Sequence, residues 1–233
     1  LIGLQQANLV VSGLNLAVST IGFVTVCKRL DSIDTSIKKQ GVAIDKLLEL
    51  AHLSEMRQKF WEESELNSWI DSAQAFCGDD RVDAIPGLLA PLKKHYLFNL
   101  SMLQMLADQP QVTSTGFENL KLLQTRLFNV GMLISYLHYR IGSPQSALRS
   151  LNELTNNLAE LNERRIEALS IDRRQTTKLT HEHFEDIKKL LDLGNSVKPA
   201  LAYQAEMLEL EIKCPGILRQ IQSAEGIVLI EAA

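Results

Sequence analysis

His181-Glu182-His183 places two imidazoles and a carboxylate within three residues, the densest run of metal-ligand chemistry in the chain. On a helix, positions two apart point about 200° away from each other. The two imidazoles therefore face opposite ways, and the spacing is not that of a His-Glu-x-x-His zinc motif. A solvated helical face is the expected role. Asp79, Asp80 and Asp83 are carboxylates in one loop, but they lack the ligand spacing and closing Glu of an EF-hand, so they are expected to be turn acids in water. His52, His95 and His138 stand alone, and none adjoins a Ser or Cys in a nucleophile motif. There is no glycine-rich phosphate loop, no Walker lysine and no Cys-x-x-Cys pair. The chain is expected to carry no catalytic residue, no metal and no cofactor, and not to be an enzyme.

The basic pairs Lys28-Arg29, Lys38-Lys39, Lys93-Lys94, Arg164-Arg165, Arg173-Arg174 and Lys188-Lys189 are dispersed among acids in a chain of net charge −4. No basic stripe tracks a phosphate backbone, so nucleic acid is not the expected partner. Cys27, Cys77 and Cys214 are far apart and odd in number, a usage that fits reduced thiols in a cytosol better than a disulfide framework. The chain opens on Leu1 rather than Met, which is compatible with a fragment. Its opening residues have neither a basic n-region nor a small-residue cleavage site, features expected of a cleaved signal peptide.

The elements that hold these residues are expected to be helices. Of 233 residues, 45% are hydrophobic, enough for one sizeable core or two small ones, while the six prolines and twelve glycines are few. Aromatics at 6% argue against a β-sandwich. Loop chemistry gathers at Gly78 to Gly87, at Asp108 to Gly116, at Gly142-Ser143-Pro144 and at Cys214-Pro215-Gly216. Between these lie a long helical stretch from Leu4 to about Phe76, a helix from about Leu88 to Ala107, and one from Thr115 to Gly142. Ser143 and Pro144 have the residue types of an N-cap and a first helical position. Gln145 to Leu193 contains no Gly or Pro, so a rod near 144–193 is allowed, roughly 45 to 50 residues and on the order of 70 Å long. Gly194 and Pro199 are expected to bracket a break before a helix from Ala200 to Lys213. Along the rod, Leu148, Leu151, Leu154, Leu158 and Leu161 form a leucine seam that Arg165 interrupts, with Glu160, Glu163, Arg164 and Glu167 on the opposite face.

Residues 1–27 are the most unusual part of the chain, because they contain no Asp, Glu, Lys, Arg or His. As a helix they would extend about 40 Å at ~1.5 Å per residue, more than the ~30 Å hydrocarbon of a bilayer. Gln5, Asn8, Ser12, Asn15 and Ser19 recur at alternating spacings of three and four, a narrow polar stripe on an apolar helix. Leu9, Leu16, Ile21, Phe23 and Val24 would then face lipid, while the stripe faces neighbouring helices or a lumen. Eight Gln, Asn, Ser and Thr residues in the segment make spontaneous insertion marginal. Lys28-Arg29 follows, and would favour a cytoplasmic side for everything downstream. Phe23, Leu30, Ile37 and Ile44 with Val26, Ile33 and Leu47 then describe a heptad seam, with Gln40 as its polar member.

The fold expected is all-α: an elongated helical bundle with long antiparallel helices and an apolar N-terminal helix. It divides into an apolar, membrane-interacting helix at 1–27, a coiled-coil-like segment at 28–77, and a helical bundle at 78–233. The layout resembles that of α-helical pore-forming proteins, a likeness of architecture that no motif carries. The functional expectation is a membrane-engaging, self-assembling protein, pore-forming or membrane-perturbing through its first segment. Its setting would be cytoplasmic with membrane association, and its partners a lipid membrane and either further copies or another helical protein. The rival expectation is a soluble interaction or regulatory module in which Leu1 to Cys27 is the central core helix.

Overall fold

The computed structural model describes residues 7–11, 14–18, 66–107, 114–171 and 181–218. From Leu66 onward these residues are helical: α1 (Leu66–Gly78), a 3-10 turn (Val82–Ala84), α2 (Pro86–Ala107), α3 (Ser114–Arg140), α4 (Pro144–Ile171) and α5 (His181–Lys213). They share one apolar core and make an all-α fold.

The centre of the bundle belongs to α3. Its fifteen consecutive residues from Leu123 to Leu137 are all buried, so the helix is covered on every side. Helices α2, α4 and α5 each pack against it, and α1 packs on α2. Ser135 Oγ donates to the Ala147 carbonyl (2.8 Å), and Arg165 near the far end of α4 reaches Gln124 near the start of α3, so these two helices run in opposite directions. Lys93 and Tyr96 of α2 meet Glu153 and Asn157 of α4 in the same order, so α2 and α4 run the same way.

The leucine seam of α4 is in place from Leu151 onward. Leu151, Leu154, Leu158 and Leu161 are buried, whereas Leu148 is only half-buried and Ala147 occupies the core position one turn before Leu151; Glu160, Glu163 and Glu167 are exposed. Each such leucine contributes on the order of 1.5–3 kcal/mol by leaving water. The junction of α3 and α4 follows its residue types. Gly142 takes a left-handed φ of 74°, and the Ser143 N–H donates to the His138 carbonyl (3.0 Å), the long bond of a glycine-closed helix end. Pro144 then opens α4, where a missing N–H costs nothing. At the end of α5, Gly216 at φ 89° turns the chain, and the Glu211 carboxylate accepts the N–H groups of Gly216 and Leu218 (2.8 and 2.9 Å).

Three expectations need correction. The continuous rod near 144–193 is instead two helices, α4 ending at Ile171 and α5 starting at His181, and they pack against each other. Residues 172–180 between them lie outside the described residues. The break expected at Gly194 and Pro199 is absent, and α5 runs through both residues. Pro199 is exposed whereas Val197, Ala200 and Leu201 around it are buried, so packing on this face outweighs the ~3 kcal/mol a proline costs a helix interior. Finally, within residues 1–27 the described elements are not helical: Ala7–Val11 (β1) and Leu14–Val18 (β2) pair antiparallel, in the register Leu9↔Leu16. Val11 lies opposite Leu14, so only Ser12 and Gly13 separate the strands, a pair suited to a tight hairpin connection. The coiled-coil-like segment lies outside the described residues except where α1 begins.

Candidate functional site

The residues expected to meet lipid or line a stripe are divided by the hairpin. Leu9 and Leu16 are directly paired in the ladder; Asn8 sits opposite Ala17, and Asn15 opposite Val10. Gln5, Ser12, Ser19, Ile21, Phe23 and Val24 lie outside the described residues. No helix among the described residues is long and apolar enough to cross a membrane.

Titratable side chains gather where α2, the end of α3 and the start of α4 meet. The Lys93 ammonium donates to both oxygens of Glu153 (2.6 Å each) and stands 5.0 Å from the Tyr96 ring centroid. Asn157 Nδ2 donates to the Tyr96 hydroxyl (2.8 Å). Burial, opposed by that bond from Asn157 and assisted by the Glu153 charge, pushes the Tyr96 phenol up to about 12. His138, half-buried, is held below its ordinary pKa by burial and then by the positive charge of Lys93. Arg140 closes this end, reaching Tyr136 Oη (3.3 Å) and Asp80 Oδ1 (2.5 Å). Asp80 adopts a left-handed φ of 52° in the α1–α2 connection, a conformation aspartate tolerates better than most residues.

A phenol whose pKa is raised by burial is a weaker acid than a free one. The Lys93–Glu153 and Tyr96–Asn157 contacts tie α2 to α4. Beside them an open groove of about 590 Å³ lies between α4 and the last turn of α5, with Gln145, Asn152, Asn156 and Asn157 supplying amides over Leu148 and Ile212. Ile212 at the end of α5 thus flanks the beginning of α4, which sets these two helices in opposite directions as well.

Further along the same α3–α4 contact, the buried polar side chains are Gln124, Thr125, Arg126 and Asn129 on α3 and Asn162 and Arg165 on α4. The guanidinium of Arg165 donates to Gln124 Oε1. Burial lowers the Arg126 and Arg165 guanidiniums to about 10.

Of the loop acids and histidines, Asp79, Asp80, Asp83 and His181 are exposed and His95 is buried. Among the described residues no three His, Cys, Asp or Glu side chains are placed to hold a metal ion. Cys77 is half-buried and Cys214 exposed, and among the described residues neither forms a disulfide. The Lys93–Glu153 and Tyr96–Asn157 contacts were not read from the sequence. Their trace in it is the stripe Leu88, Leu92, Tyr96 at spacings of four, with Lys93 at its flank, facing a leucine helix that carries Asn156-Asn157. No protein-family model matches the chain, and no curated protein or solved structure matches it.

Proposed function

We propose that this is a membrane-engaging α-helical protein, non-enzymatic and cytoplasmic in setting, which self-assembles and perturbs or perforates a bilayer through its first segment. The observation that carries the reading is the complete lack of ionisable side chains in residues 1–27. A second consideration supports it. The rival account needs Leu1 to Cys27 as the central helix of a soluble bundle, and α3 occupies that centre. Strand β1 touches α5 of the bundle, and the apolar surface that this contact leaves open is suited to lipid or further copies of the chain.

The hairpin constrains how engagement proceeds. Strands of five residues rise about 17 Å at ~3.4 Å per residue, short of the ~30 Å hydrocarbon. In this form the segment reaches into one leaflet. Spanning requires residues 1–27 to refold into a helix of about 40 Å, or copies to associate. A second reading, an interaction module that grips a partner through amides, is favoured by the groove over Leu148 and Ile212.

Vesicle flotation combined with dye release separates the two. The wild-type chain is expected to float with vesicles and release dye, whereas Leu9→Asp/Leu16→Asp stays in the dense fraction with an unchanged helical circular dichroism spectrum. Burying two carboxylates in hydrocarbon opposes insertion by several kcal/mol, on the order of 2.5–3.5 kcal/mol each. Asn15→Leu should bind as well or better yet release less dye. A wild-type chain that stays soluble and leaves vesicles intact across lipid compositions and pH sinks the proposal in favour of the groove.

A further inference from the structure

The bundle is fastened unevenly. At one end α4 is tied by Lys93–Glu153, Tyr96–Asn157 and the Ser135–Ala147 bond. Toward the other end, where the leucine seam is interrupted, Arg165 is 5% exposed and sits against α3. Gln124 Oε1 accepts one of its N–H groups, while Nε and Nη2 have no acceptor among the described residues. No carboxylate among the described residues pairs with it. The acids of its own helix are turned outward: Glu160 is exposed and holds Arg164 (2.8 Å), and Glu163 and Glu167 are exposed. Gln124 is neutral, and so is buried Asn162 one turn before Arg165. An amide supplies a hydrogen bond but no counter-charge, so among the described residues the closed seam holds a desolvated cation without a neutralising partner. The lowered pKa of this guanidinium, due to burial, agrees with that geometry.

The geometry points to a release point built into the fold: the second half of α4, from Leu158 to Ile166, is the part of the bundle that separates from α3 first, because separation returns Arg165 to water. The first half of α4 stays fastened and acts as the hinge side. This inference is independent of the membrane reading, since it concerns only how the bundle opens.

Native-state hydrogen exchange on the full chain tests it. In the wild type, amides from Leu158 to Ile166 are expected to exchange at least about tenfold faster than those from Leu151 to Thr155, by opening events smaller than global unfolding. Arg165→Met keeps length and apolar volume but removes the charge, and should slow exchange in Leu158 to Ile166 about tenfold or more while raising Tm by several degrees. Equal exchange in the two halves of wild-type α4, or a folded Arg165→Met variant that exchanges at the wild-type rate, overturns the inference. If Arg165→Met does not fold, Gln124→Glu gives the guanidinium a carboxylate at the position that already accepts its bond. Slower exchange in that variant supports the release point, and an unchanged rate contradicts it.

Discussion

Leu133→Ala is expected to destabilise the bundle by about 3–5 kcal/mol, the upper part of the range for a buried leucine. Leu133 is fully buried near the middle of α3, and its neighbours along the chain from Leu123 to Leu137 are buried too. Side chains around such a site are held by α2, α4 and α5 together, so none can move in to fill the space without disturbing another contact. Most of the cavity should persist, which adds to the lost transfer energy. Urea unfolding will show this as a lower midpoint with an unchanged slope. A loss below about 1.5 kcal/mol would mean that α3 is not enclosed as described.

Gly131→Ala is the second large effect, and its sign is the informative part. In an exposed helix this change stabilises by up to about 1 kcal/mol, because alanine is the better helix former. Here the added Cβ would lie 3.0 Å from both Leu154 methyl carbons and 3.1 Å from Tyr96 Cε2. Leu154 is buried in the α4 seam, and Tyr96 is anchored at its hydroxyl by Asn157, so neither side chain yields freely. A net loss of about 1–3 kcal/mol is expected from overpacking. The cause can be isolated with Leu154→Ala. That substitution alone should be costly, but the double variant should be markedly more stable than the sum of the two losses, since the smaller side chain makes room for the new methyl. Simple additivity would remove the claim that α2, α3 and α4 meet at Gly131.

How much of this was legible depended on the kind of signal each element carried. The leucine seam of α4 and its interruption at Arg165 follow from spacing alone, and so do the helix boundaries at Gly142-Ser143-Pro144 and Cys214-Pro215-Gly216. Those residues act through local backbone chemistry, which the sequence expresses directly. The separation of α4 from α5 is not legible because Gln145 to Leu193 contains no Gly or Pro, and the packing of α4 against α5 is a tertiary contact that no local residue type announces. Pro199 was misjudged for the converse reason, since buried neighbours carry α5 through a residue that would break an isolated helix. The role of α3 was hidden because a helix covered on all sides has no apolar stripe: Gln124, Thr125, Arg126 and Asn129 interrupt any periodicity yet are buried. The hairpin was masked by coincidence. Polar residues at spacings of three and four describe a helix, while the mostly apolar runs Ala7–Val11 and Leu14–Val18 pair as antiparallel strands.

The candidate site's contacts were not legible. Lys93 and Glu153 are sixty residues apart, as are Asp80 and Arg140, and such pairings arise from helix directions that spacing within one helix does not specify.

The account rests on α3, rather than the opening residues, being the helix around which the bundle is built. Thermal unfolding of the chain from Lys28 onward, followed by circular dichroism beside the full-length chain, tests that directly. The account predicts a cooperative transition within a few degrees of the full-length Tm, together with loss of vesicle flotation. A chain that loses its cooperative transition when residues 1–27 are removed would contradict it, because the apolar segment would then be part of the core.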